Sequence, residues 1–189
     1  FAIGGFGQEC REWIDKLASM KMKWWQILPL CPVGYGNSPY SSMSAFAINP
    51  YYIDLPSLKG QGLLTEEELK AAQYPGTPYA VDYDWVRENK EKWVRRAFYR
   101  FTEREKLDEF SKKESSWLDD YSAFMASKKL NQGAAFWQWD RKPSKKEQDY
   151  YRFEQYLAHT QWAEVKTYAN AHGISLFGDM PIYVLHDSA

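Results

Sequence analysis

The sequence of 189 residues is poor in the features that mark several common protein classes. Its two cysteines, Cys10 and Cys31, are too few for a disulfide scaffold and lack the paired spacing of a zinc site. No apolar run approaches the roughly 18 residues of a membrane span, and residues 1–7 do not have the pattern of a signal peptide. The 24 basic and 25 acidic residues nearly cancel, which excludes the basic field of a nucleic-acid-binding protein. We therefore expect a globular protein with two reduced thiols that binds neither membranes nor nucleic acids.

Histidines are also scarce, and their placement argues against a metal site or a hydrolytic triad. His159, His172 and His186 fall in no metal-binding motif. His186, Asp187 and Ser188 are the three residue types of a catalytic triad, but triad members meet through the fold rather than in succession. We expect no metal ion and no organic cofactor.

Aromatic residues, in contrast, are abundant: 9 Trp, 14 Tyr and 10 Phe make up 17% of the chain. Many of these rings serve a hydrophobic core, because aromatic side chains bury large areas. A surplus of Trp and Tyr in a chain of balanced charge also suits neutral, hydroxyl-rich ligands such as sugars, whose C–H faces stack on rings. Composition is thus compatible with carbohydrate binding but does not single it out.

The first part of the chain combines a helix with extended segments. Residues 8–20 predict an amphipathic helix whose apolar face includes Trp13. A short apolar run over 24–28, stopped by Pro29, predicts a buried strand. A second extended segment covers about 46–55. This order of elements is typical of an α/β protein.

The middle of the chain reads as helices joined by loops. Residues 87–104 and 116–130 have helical periodicity, and a capping box of Thr65 and Glu68 marks the start of another helix. A long helix then begins after Ser144, which opens a second capping box, and leads into a third strand. The pattern predicts the first part of an α/β barrel with a helical insertion, divided into 1–55 (two strands and a loop), 56–143 (the inserted subdomain) and 144–189 (the long helix and third strand).

Two segments carry candidate ligand-binding residues. Loop 32–40 is rich in Gly, Pro, Asn and Ser and follows a strand, at the end where α/β sheets place their ligands. Asp179 follows the strand predicted over 174–177, where its carboxylate can accept a hydrogen bond from a ligand hydroxyl. The alternatives are an ordinary turn for the loop and a structural cap of the next turn for Asp179.

Four motifs occur along the chain in a fixed order and spacing. They are Trp25-Gln26-Ile27-Leu28-Pro29-Leu30, Gly34-Tyr35-Gly36-Asn37-Ser38-Pro39-Tyr40, Ser44-Ala45-Phe46-Ala47 with Asn49-Pro50-Tyr51, and Gly178-Asp179-Met180-Pro181-Ile182. In combination they resemble the amylomaltases, the 4-α-glucanotransferases also called disproportionating enzymes, from about Ile3 to Ala189. The resemblance implies a (β/α)8 TIM barrel with a helical subdomain inserted after its second strand. It also implies transfer of α-1,4-glucan segments to the 4-hydroxyl of another glucan by a retaining double displacement.

The resemblance implies a substrate-binding role for five residues: Tyr40, Ser38, Asp179, Tyr35 and Asp187. Tyr40 matches a stacking platform on the active-site wall beside Ser38, and Asp179 matches an acid that holds the sugar ring at the cleavage site. Tyr35 matches an aromatic residue of glucan docking, and Asp187 is a weaker candidate. Ser41 stands where the family more often has glutamine, which leaves the details of the sugar subsites open.

No residue of this sequence is assigned a catalytic role. The resemblance places the nucleophilic aspartate and the acid/base glutamate in later motifs, so we expect them beyond Ala189 in a longer enzyme. The expected partners are α-1,4-glucans and maltooligosaccharides of starch, glycogen or maltodextrin metabolism, in a cytoplasm or a plastid stroma. Two alternatives stay open: an α-glucan hydrolase or debranching enzyme of the same fold, and a non-catalytic glucan-binding module.

Overall fold

The computed structural model describes residues 1–183 and 185–189, and at Tyr35 it describes only the main chain. Seven α-helices and two short strands form in this part of the chain. In chain order they are α1 (Gln8–Ser19), β1 (Trp24–Gln26), α2 (Leu55–Gly60), α3 (Glu66–Ala71), α4 (Tyr83–Arg100), α5 (Arg104–Lys113), α6 (Ser115–Leu130), α7 (Lys145–Ala171) and β2 (Ser175–Phe177). Single turns of 3-10 helix lie at Tyr35–Asn37, Pro50–Tyr52 and Phe136–Gln138. The fold is therefore mixed α/β, as predicted, with α2 to α7 between its two strands in the chain.

The two strands pair in parallel, with Trp25 opposite Leu176. The main-chain N–H of Ile27 extends the ladder by donating to the carbonyl oxygen of Phe177 at 2.9 Å. The position of the first strand is confirmed, but its predicted burial is wrong. Trp24 and Phe177 are exposed, because in each three-residue strand only the central side chain is half-buried.

The strand predicted over 46–55 is wrong. There the chain passes through the turn Pro50–Tyr52 and enters α2. Its polar main-chain groups bond to glutamine side chains of α7 instead of a neighbouring strand. Gln155 bonds to the N–H and the C=O of Ile48, at 2.8 and 2.9 Å.

Side-chain caps set several of the helix starts. The capping box of Thr65 and Glu68 is confirmed, since each side chain accepts from the other residue's main-chain N–H at the start of α3. Asp82 caps α4 by accepting from Trp85, so this helix begins four residues before the predicted start at 87. Helix α6 matches its prediction, whereas α5 was not predicted.

The chain divides into two compact units, and each is described separately. The first unit contains Phe1–Ile27, Pro50–Phe101 and Leu157–Asp179. The second unit contains Leu28–Asn49, Thr102–Tyr156 and Met180–Ala189. The domain boundaries predicted near residues 55 and 143 stay predictions.

The core of the first unit collects apolar side chains from its helices. Its buried residues include Ile14, Leu17, Ile53, Leu55, Leu58, Val86, Trp93, Val94, Ala97, Val165, Ala169 and Ile174. Phe6 packs against Tyr52 and Trp162, with ring centroids 5.5 and 5.4 Å apart. Trp13 is exposed, which corrects its prediction as part of the buried face of α1.

A lysine is also buried in the first unit. Lys90 on α4 is only 4% exposed, and its Nζ donates to the carbonyl oxygen of Ile53. Burial lowers the pKa of Lys90 to about 8, although the charges of Asp54 and Glu9 act in the opposite direction. Asp54 caps α2 by accepting from the N–H of Ser57 at 2.8 Å, and burial raises the pKa of its carboxyl. Lys90 and Asp54 both bond to main-chain atoms of the first unit, so we assign them structural roles.

The second unit is built around α6. Ala47, Leu118 and Tyr121 form a buried cluster on which Phe110, Trp117 and Met125 pack. Tyr150 and Phe153, in the part of α7 that belongs to this unit, are buried as well. These side chains form part of the core of the second unit.

Candidate functional site

The loop between Val33 and Ser42 is closed by main-chain bonds. These two residues form an antiparallel bridge, and the N–H of Gly34 donates to the carbonyl oxygen of Ser41 at 2.9 Å. A Cβ at Gly34 would lie 2.4 Å from that same oxygen, so only glycine fits this neck of the loop. The hydroxyl of Ser42 is buried and lies 2.7 Å from the carbonyl oxygen of Pro32. The loop is therefore fixed at its base.

The tip of this loop presents the predicted binding residues. Gly36 and Asn37 have positive φ values of 74° and 54°, which turn the chain sharply. The main-chain N–H of Tyr40 donates to the hydroxyl of Ser38 at 3.3 Å, and the Tyr40 side chain is 45% exposed. The structure thus brings Ser38 and Tyr40 together. The side chain of Tyr35 lies outside the part of the chain that is described, so its role stays a prediction.

Asp187 uses its carboxylate for contacts within the second unit. One oxygen forms an ion pair with Lys128 of α6, and the other accepts from the N–H of Phe136 at 3.1 Å. Nearby in the chain, the N–H of Ala189 donates to the carbonyl oxygen of Met43 at 2.9 Å. The predicted direct contact of Asp187 with substrate stays untested, but its charge is already matched inside the fold.

Asp179 lies two residues after β2, in the first unit. It is exposed, as a ligand-binding carboxylate at the end of a strand requires. Because β1 and β2 are parallel, their C-terminal ends lie at the same edge of the strand pair. One end leads to Asp179 and the other to the chain that continues into the loop. This placement agrees with the location of ligand sites in α/β sheets.

An aromatic group at 136–139 was missed by the sequence analysis. Phe136 and Trp137 are exposed and meet edge to face, with centroids 5.0 Å apart, while the ring of His186 lies 5.0 Å from that of Trp137. The density of rings in Phe136-Trp137-Gln138-Trp139 was the available signal. The contact with His186 joins residues about 50 positions apart, which periodicity does not reveal.

The described residues contain no group of three or more His, Cys, Asp and Glu side chains placed to hold a metal ion. Within that same part of the chain, no helix combines the length and the apolar character needed to cross a membrane. Cys10 and Cys31 are free thiols, and burial raises the pKa of both. Raised pKa values make reactive thiolates unfavourable.

These observations define an α/β protein with a parallel strand pair. An exposed carboxylate, Asp179, follows the second strand in the first unit, and a loop fixed at its base carries Tyr40 in the second unit. A family model described as 4-alpha-glucanotransferase matches residues 1–189, and the chain belongs to that family. The resemblance drawn from the four sequence motifs is confirmed.

Curated relatives agree with this membership. Over its whole length, the chain is 42% identical to the 4-alpha-glucanotransferase of Synechocystis sp. (strain ATCC 27184 / PCC 6803 / Kazusa) and 37% identical to that of Thermus thermophilus, in each case covering 41% of the relative. It is 32% identical to the enzyme of Solanum tuberosum described as chloroplastic/amyloplastic, covering 37% of it. The chain thus spans about two fifths of the length of the curated relatives it matches.

Solved structures give the same result. The chain superposes on an amylomaltase from Streptococcus agalactiae in complex with acarbose with a TM-score of 0.91 and 33% identity, over 99% of this chain and 41% of the other. It is also similar to amylomaltase from Corynebacterium glutamicum, with a TM-score of 0.72 and 19% identity, over 97% of this chain and 28% of that one. The second likeness concerns the fold alone.

Proposed function

We propose that the protein containing this chain is a 4-α-glucanotransferase, which moves a segment of an α-1,4-glucan to the 4-hydroxyl of another glucan or of glucose. The observation that carries the proposal is the family match over all 189 residues. The likeness to an amylomaltase in complex with acarbose supports a glucan as the substrate. We further propose that β1 and β2 are strands of a (β/α)8 barrel and that residues 56–143 form an inserted helical subdomain, after which α7 returns the chain to the barrel.

The proposed chemistry is a double displacement with retention. A carboxylate attacks the anomeric carbon while a carboxylic acid gives its proton to the leaving 4-oxygen, and the glycosidic bond breaks. The acceptor's 4-hydroxyl then attacks the same carbon, its proton passes to the second carboxylate, and the bond to the enzyme breaks. We propose that both groups belong to the part of the enzyme outside these 189 residues.

The chain itself contributes binding. We assign Tyr40 to stacking against a glucosyl ring, and its exposed side chain on a loop fixed at its base supports this role. Asp179 accepts hydrogen bonds from sugar hydroxyls at the cleavage site, and Ser38 lies beside Tyr40. These contacts hold the donor in position, which can lower a barrier by roughly 7–11 kcal/mol in favourable cases. A cytoplasm or a plastid stroma stays the predicted compartment.

The test is an incubation of the full-length protein with maltotriose, with products separated by chain length. Disproportionation forms glucose together with maltopentaose and longer chains. Products no longer than maltotriose would contradict the transferase and favour an α-glucan hydrolase. Retention of the protein on glucan without any product would favour a binding module.

A further inference from the structure

Two exposed rings form a platform on the second unit. Trp137 is 57% exposed and Phe136 is 42% exposed, and their planes meet at 81°. The ring of His186 lies beside Trp137 with an interplanar angle of 35°. We call Phe136, Trp137 and His186 the aromatic platform. It offers flat apolar surface together with the polar edges of an indole and an imidazole.

The platform is held in place by contacts beneath it. The carboxylate of Asp187 accepts from the N–H of Phe136 and pairs with Lys128 of α6. Next to the platform, Trp139 donates from Nε1 to the carbonyl oxygen of Ala134 at 2.8 Å, and its ring packs on Phe124 with centroids 5.2 Å apart. Rings that are fixed before a ligand arrives lose little conformational entropy when it binds.

His186 of the platform belongs to a segment that passes beside the neck of the loop that carries Ser38 and Tyr40. A Cβ at Gly34, in the neck of that loop, would lie 3.1 Å from the Cδ1 of Leu185. Leu185 precedes His186 of the platform, and at the end of the segment the N–H of Ala189 bonds to the carbonyl oxygen of Met43. Segment 185–189 therefore lies beside the neck of the loop at Leu185, bonds through Ala189 to Met43 just after the loop, and contacts the platform rings through His186.

We propose that the aromatic platform is a further glucosyl subsite of the glucan-binding surface, and that Asp187 is a positioning residue which fixes it. The proposal rests on the proposed function for the identity of the occupant, an α-1,4-glucan. The C–H face of a glucosyl ring stacks on Trp137, because the hydrogens of that face carry a small positive charge and meet the negative face of the indole. Its hydroxyls stay at the rim of the platform, in contact with water.

The first test is affinity electrophoresis of the full-length protein in gels that contain soluble starch, a binding measurement that does not depend on product analysis. We expect Trp137→Ala to weaken retardation about tenfold, the loss of about 1.4 kcal/mol. Trp137→Tyr keeps a ring and should stay within about threefold of wild type. The matched control is Tyr99→Ala, which removes an exposed ring from α4 in the first unit and should change nothing.

The second test separates positioning from direct contact. If Asp187 acts through the platform, Asp187→Ala weakens starch binding in the wild type but adds little in the Trp137→Ala background. Additive losses would mean that Asp187 contacts the sugar itself and would overturn its positioning role. Steady-state kinetics with maltoheptaose provide a further readout: Trp137→Ala should raise KM with kcat nearly unchanged.

The outcomes distinguish this proposal from the proposed function. If the wild type disproportionates maltotriose but Trp137→Ala binds starch like the wild type, the platform is no subsite and the transferase stands. If Trp137→Ala loses starch binding but the wild type forms no longer chains, the subsite stands and the transferase fails. Circular dichroism of each variant confirms that a loss of binding is not a loss of fold.

Discussion

Gln155 pairs with the main chain of Ile48 through both ends of its amide. Its Oε1 accepts from the N–H at 2.8 Å and its Nε2 donates to the C=O at 2.9 Å, the pattern by which one strand residue pairs with another. Gln155 is fully buried, so no water replaces these bonds if they are lost. In the first unit, Gln161 repeats the arrangement on Asp54, at 2.7 and 3.2 Å. Segment 48–54 is thus fixed by side chains of α7.

Gln155→Leu should loosen the chain around Ile48. The substitution leaves a buried N–H and a buried C=O without partners, at a cost of about 1–3 kcal/mol for each group. Hydrogen–deuterium exchange of the full-length protein should show the peptide containing Ile48 exchanging at least about tenfold faster. Gln148→Leu, a half-buried position on the same helix, is the control. Unchanged exchange at Ile48 would contradict the role given to Gln155.

Lys90 should make the protein more stable as the pH rises above neutral. The pKa of Lys90 is lowered to about 8 in the folded protein, from the ordinary value of 10.5 that it has in the unfolded chain. Between these two pH values the unfolded chain therefore binds more protons than the folded protein. The free energy of unfolding therefore increases with pH in this window, by about 2 kcal/mol between pH 7.5 and 9.5.

Lys90→Met lacks this titration, so the stability difference between wild type and variant isolates it. Urea denaturation at pH 7.5 and 9.5 should show the difference moving in favour of the wild type at the higher pH. Lys70→Met, which removes an exposed lysine from α3, controls for the loss of one positive charge. A difference that is equal at both pH values would show that Lys90 does not titrate in this range.

Thr65→Ala should weaken the start of α3. It removes the hydroxyl that accepts from the N–H of Glu68 at 3.2 Å, and such caps contribute about 1 kcal/mol. Thermal denaturation should show a lower midpoint for Thr65→Ala, whereas Thr65→Ser retains the hydroxyl and should stay close to wild type. Equal midpoints for the two variants would exclude a capping contribution.

Asp179→Asn should reduce transfer without affecting the fold. The amide keeps the shape of the side chain but loses the charge that strengthens hydrogen bonds from sugar hydroxyls. In the full-length enzyme we expect kcat/KM for maltotriose to fall by about 100-fold or more, corresponding to about 2.7 kcal/mol. Asp108→Asn, an exposed aspartate on α5, is the control and should keep its activity. Near-normal rates for Asp179→Asn would contradict the proposed role of Asp179 in substrate binding.

Local signals made part of the fold predictable. Thr65 and Glu68 are three residues apart, and their capping box depends on nothing else in the chain. The bonds between Gln155 and Ile48 join residues 107 positions apart, which no local pattern reveals. The apolar segment 46–55 was therefore predicted as a strand. Trp24 was expected inside because its neighbours are apolar, but the exposure of a strand depends on what packs on its faces.

The candidate site divides in the same way. The loop was found because Gly, Pro, Asn and Ser mark a loop where they cluster after a strand, and the binding role of its Ser38 and Tyr40 came from the resemblance to the amylomaltases. The pairing of Phe136 with Asp187, and of Trp137 with His186, depends on the path of the chain between them. The resemblance to the amylomaltases suggested Asp187 as a ligand contact, and only the fold shows that its carboxylate bonds to Lys128 and to the N–H of Phe136.

In the loop between Val33 and Ser42, the residues that close the loop are different from the residues at its tip. The closing bonds are made by main-chain atoms and by the hydroxyl of Ser42, whereas Ser38 and Tyr40 lie at the tip. The tip can therefore accept new side chains while Gly34 and Ser42 are kept. Under the proposed function, substitutions at Ser38 and Tyr40 should alter the choice of sugar while the bonds that close the loop are retained.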